Sequence, residues 1–120
     1  MASFPQSVVR MEKVVEMRVA SSSPVRKVAG AIIQYIKEGN DVALITIGPG
    51  SLNQAVKACI IARGMVAPEG MDLFIQQSFR DEPVKGAIKT AIQTDVYMSK
   101  PIRSVQPPGV SLEDDRVRDN

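Results

Sequence analysis

The segment Val42-Ala43-Leu44-Ile45-Thr46-Ile47-Gly48-Pro49-Gly50-Ser51-Leu52-Asn53-Gln54 decides the fold. Its first six residues are apolar or β-branched and are bounded by Asp41 and Gly48, the pattern of a central strand. Gly48-Pro49-Gly50 then turns the chain. Ser51 and Gln54 have the spacing of a capping box, which predicts a helix to Arg63 with Gly64 as its stop. A strand running through a glycine turn into a helix is the unit of a layered α/β structure.

Upstream, Val14–Ser21 alternates apolar Val15, Met17 and Val19 with Glu16 and Arg18, so it reads as a half-buried strand. Ser23 is placed as an N-cap with Pro24 at the first helical position. Val25, Val28, Ala29, Ile32 and Ile36 share one helical face, and Gly39 closes that helix. Downstream, Met71, Leu73, Ile75 and Phe79 predict a third strand, and Ile88 to Val96 a fourth. Arg80–Gly86 reads as the loop between them. The order is βαβαββ, an α/β (α+β) two-layer sandwich with two helices on one face of a four-stranded sheet. Residues 1–12 read as an N-terminal extension, 13–98 as the domain and 99–120 as a flexible, Pro-containing tail.

Composition narrows the function. The 120 residues include no His, no Trp and one Cys. No imidazole base, Ser–His couple or Cys-rich zinc site can be built, so neither catalysis nor a metal or cofactor is expected. No secretory signal and no membrane-spanning run are visible, which points to the cytoplasm. The net charge is +2, a weak footprint for nucleic acid. That excess lies within Lys13–Tyr97, which holds ten basic and eight acidic side chains.

Three places could bind an anion. Gly48–Gln54 opens onto a helix N-terminus, although it ends as neither a Walker A loop nor a GxGxxG fingerprint; a plain capped turn is the simpler reading. Arg26 and Lys27 stand in the first turn of a helix, where cations are disfavoured by ~0.3–1 kcal/mol each. A docked anion would explain them, and so would a solvated face. Arg80, Lys85 and Lys89 stand near Asp81 and Glu82 in the last loop, most simply a solvated turn. On the second helix, Asn53, Gln54, Lys57 and Ile61 are read as an outer face with Ala58 beside it. Leu52, Ala55, Val56 and Cys59 are read as the core face, with Cys59 inert. Ile61 breaks the amphipathic pattern, so Ala58 and Ile61 are the expected oligomer contacts.

Gly48 to Ala58, Ile61-Ala62-Arg63-Gly64-Met65-Val66-Ala67-Pro68 and Gly70-Met71-Asp72 resemble the stage V sporulation protein S family. Val19-Ala20-Ser21 and Val28-Ala29-Gly30-Ala31 are similar to it as well. The resemblance implies an Alba-like fold with a mixed sheet, dimeric or tetrameric assembly, and cytoplasmic, sporulation-type regulation in bacteria. It also implies nucleic-acid contacts at the first strand–helix junction, the second-helix loop and the last hairpin. The expected binding residues are Arg26, Lys27, Ser51, Asn53, Gln54, Lys57, Arg80 and Lys85, facing DNA or RNA. Two other readings stand beside this one: a protein-interaction module, and a sensor of small anionic ligands at Gly48–Gln54.

Overall fold

A computed structural model describes residues 13–100. The expected extension and most of the expected tail lie outside the described residues. The elements are β1 (Val14–Arg18), α1 (Val25–Lys37), β2 (Asp41–Thr46), α2 (Pro49–Val66), β3 (Asp72–Val84) and β4 (Ala87–Ser99), with a 3-10 turn at Ala67–Glu69. One mixed sheet has the strand order β1-β2-β4-β3. β1 is parallel to β2, and the other pairings are antiparallel. Two helices on a four-stranded mixed sheet give the expected two-layer βαβαββ architecture.

The periodicities explain the layers. In β2, Val42 and Leu44 point to the helices, where they meet Val28, Ala29, Ile32, Ala55, Ala58, Ala62, Val66 and Val96. Ala43 and Ile45 point to the other face and bury themselves with Ala91. Every residue of β2 is therefore buried, as a central strand requires.

Several boundaries differ from expectation. Pro24, not Ser23, is the N-cap position of α1, because the Ser23 hydroxyl bonds backwards, accepting the Ala20 N–H at 2.9 Å. Helix α2 begins at Pro49, whose ring is preset for the first turn, with Gly48 at φ 90° before it. Ser51 and Gln54 thus lie inside the helix and form no capping box. Gly64 does not stop α2; the chain continues to Gly70, whose φ of 76° ends the 3-10 turn. The expected loop Arg80–Gly86 is strand up to Val84, and Lys85 and Gly86, at φ 50° and 82°, make a two-residue turn. Pro83 is tolerated because β3 is an edge strand. Gly39 does close α1: its N–H donates to Ile36 and that of Asn40 to Tyr35, both at 3.0 Å, a Schellman arrangement.

Ile32 is fully buried where α1 meets the sheet and α2. Ile32→Ala is expected to cost about 2–5 kcal/mol, read as a lower urea midpoint at constant slope.

Candidate nucleic-acid interface

Topology sets the geography of the site. β1 and β2 run parallel, and β4 runs back against β2. The carboxyl ends of β1 and β2 therefore lie at the same end of the sheet as the β3–β4 turn. Two connections, Val19–Pro24 and Ile47–Gly48, lie side by side there, and the β3–β4 hairpin runs on past them, its Lys85–Gly86 turn five register positions beyond the Thr46–Ile92 pair. An open cleft of about 620 Å³ is lined by Ala20 and Ser21, by Gly48–Ser51 and by Glu82–Val84. The two connections also touch directly. The Gln54 side-chain amide donates to the Ser23 carbonyl at 2.9 Å, tying the start of α2 to the start of α1.

Arg26, Lys27, Asn53, Lys57 and Lys85 are exposed, and none of the five takes part in the side-chain hydrogen bonds or ion pairs described for this structure. Neither helix carries an acidic residue in its first turn. Ser51 is different: it is buried, and its hydroxyl lies 2.8 Å from the Ile47 carbonyl and 3.1 Å from that of Gly48, so its proton is engaged inside the turn. Gln54 serves first as the tie to Ser23. Ala58 is fully buried in its own chain, and Ile61 is half-buried against the core. Neither is the expected outer contact. The large apolar residues that α2 exposes are Val56 and Ile60, on the side opposite Ala58, and Met65 near its end.

Arg80 is also displaced from its expected role. It belongs to a lattice of charges on the sheet face away from the helices. Its guanidinium donates to Glu16 at 2.8 and 3.1 Å, to Gln93 at 3.1 Å and to Glu82 at 3.1 Å. Arg18 pairs with Glu82 as well, with Nε 2.7 Å from Oε2. These pairs join the two edge strands β1 and β3 across the face, above Ala43, Ile45 and Ala91. The sequence signal for them was the Glu16/Arg18 and Arg80/Glu82 alternation, which puts each pair on one face of its strand.

A protein-family model described as Stage V sporulation protein S matches residues 15–99. The chain belongs to that family. Membership in the stage V sporulation protein S family suggests a sporulation-related regulatory role. Among solved structures, Alba from Thermoplasma volcanium is similar at a TM-score of 0.48 and 12% identity, over 73% of this chain and 100% of that one.

Cys59 is buried and desolvation pushes its thiol up to about 11, so it stays protonated and unreactive. Among the described residues, no group of three or more potential ligands could hold a metal. None of the described helices is long and apolar enough to cross a membrane.

Hydrogen bonding from Arg80 holds Glu16 below its ordinary 4.5, and hydrogen bonding from Arg63 holds Asp72 below its ordinary 3.8. Lowered carboxylates stabilise the fold above their unfolded values and lose that contribution as pH falls through the native ones. Thermal stability is therefore expected to hold at neutral pH and to fall below about pH 4.5. Arg80→Ala should flatten that fall, and an unchanged acid limb would contradict the assignment.

Proposed function

We propose that this protein is a non-enzymatic regulator that binds the backbone of DNA or RNA at the end of the sheet where both helices begin and from which the β3–β4 hairpin projects. The observation that carries the reading is the pair of acid-free helix N-termini at one end of the sheet, with exposed Arg26 and Lys27 in the first turn of α1, exposed Lys57 about two turns along α2 and exposed Lys85 at the hairpin tip. Free N–H groups and helix dipoles favour an anion there, and the cations supply what the dipoles would otherwise disfavour. Phosphate is the anion a nucleic acid presents at regular spacing. Asn53 adds an exposed polar side chain for backbone or sugar. The family resemblance implies the same three places.

Binding is expected to be modest and largely independent of sequence, with log affinity falling by about 0.9 per log salt for each phosphate contact on duplex DNA. Replacing Arg26, Lys27 and Lys57 by Glu should weaken binding and reduce that slope together. Anisotropy titrations against duplex DNA, single strands and RNA at two salt concentrations check this. Absence of wild-type binding at low salt would sink the proposal. Stabilisation by a mononucleotide but not by an oligonucleotide would favour the small-ligand reading.

The same reading includes self-association, since one +2 subunit carries only a small patch. Val56 and Ile60 on one side of α2, with Ile75, Phe79 and Ile88 on the helix-facing side of the hairpin, leave five large apolar side chains exposed. Phe79 is 80% exposed and Ile88 68%. A second copy seated there would double the cationic surface. Phe79→Asp is expected to reduce the mass seen in sedimentation equilibrium to that of one chain. A wild type that is already monomeric would count against it, and a distinct protein captured through this face would favour the interaction-module reading.

A further inference from the structure

Of the seven glycines among the described residues, six would carry a methyl group with nothing within 4 Å of it. Gly50 is the exception: a Cβ there would lie 3.0 Å from the Cβ of Ser21. Its backbone does not need glycine, since its φ is not positive. What needs glycine is the approach of the β1–α1 connection to the first turn of α2. Ser21 has little room to retreat. It sits in a turn closed by the Ser23 N–H donating to the Ala20 carbonyl at 3.0 Å and by the Ala20 N–H donating to the Ser23 hydroxyl at 2.9 Å. The Gln54 amide closes the same junction from the other side, through the Ser23 carbonyl.

We infer that Gly50 is a positioning residue that locks the two connections into one rigid surface, setting Arg26 and Lys27 in fixed register with Lys57 and the start of α2. This rests on the backbone-binding reading above and deepens it. A surface already ordered before the ligand arrives avoids the entropy of ordering it on binding. A methyl at Gly50 removes no charge and no N–H donor, and because Gly50 lines the cleft, a double variant that keeps this methyl but frees the contact with Ser21 separates lost register from direct obstruction. Helical alanine is favoured over glycine where the backbone accepts both, which offsets part of what the 3.0 Å contact with Ser21 costs.

The test compares the full-length wild type, Gly50→Ala, the double variant Gly50→Ala with Ser21→Gly, and Gly30→Ala as a helical glycine with open space around it. Binding to a fluorescent 20-base-pair duplex and a single-stranded RNA is read at two salt concentrations, beside thermal unfolding. Gly50→Ala is expected to bind about fivefold more weakly, with an unchanged salt slope and a melting temperature within a few degrees of the wild type's. Ser21→Gly, which removes the opposing Cβ, should restore affinity in the double variant, and Gly30→Ala should bind as the wild type does. Wild-type affinity in Gly50→Ala, failure of the double variant to recover, or weakening that tracks a lowered melting temperature would each overturn the inference. If the wild type itself does not bind, the backbone-binding reading falls and this inference with it. If the wild type binds and Gly50→Ala is unaffected, only this inference falls.

Discussion

Two parallel strands cannot be joined by a tight turn, so the chain between β1 and β2 must travel back along the sheet, and α1 is that return. Because α2 follows β2 in the same sense, both helices start from the same end. Their exposed N–H groups are then neighbours by topology, before any side chain is chosen. The β4 strand, antiparallel to β2, carries the hairpin turn to that end as well. Side chains decorate this arrangement: Gly48 and Pro49 make the turn into α2 sharp, and Gln54 fastens it to Ser23.

The opposite face of the sheet solves a different problem. It has no helix to cover Ala43, Ile45 and Ala91, yet all three are buried. Arginine and glutamate side chains do the covering, their stems lying over the apolar patch while their heads pair across it. Glu82 is nearly sequestered and receives both Arg18 and Arg80, whereas Arg18 is more than half exposed. Fully exposed ion pairs are worth little; here both guanidiniums converge on a carboxylate that the fold has taken out of water.

The fold was largely legible because its elements obey simple periods. Val15, Met17 and Val19 alternate, Val28, Ala29 and Ile32 recur at helical spacing, and Val42–Ile47 is continuously apolar. What misled were residues whose side chains have more than one use. Ser51 and Gln54 fit a capping box, but Pro49 claimed the start of the helix and released them for other bonds. Asp81, Glu82 and Pro83 resemble a loop, but an edge strand accommodates all three. Along α2, small residues such as Ala55, Ala58 and Ala62 form the buried stripe while larger Val56 and Ile60 face outward. Hydrophobicity by size therefore gave the wrong phase for Ala58 and Ile61. Of the candidate site, the exposed cations of α1 and α2 were visible in sequence, whereas the pairing of Arg80 depended on residues 64 positions away.

The close packing of α2 through small side chains leaves Cys59 enclosed beside Ala55, Ala58 and Ala62. As the one sulfhydryl of the chain and largely buried, it reacts fastest when the helix layer loosens from the sheet. The protein thus carries an intrinsic clock for its own opening: the rate at which an alkylating reagent consumes the thiol reports how often the domain breathes, with no label to perturb it.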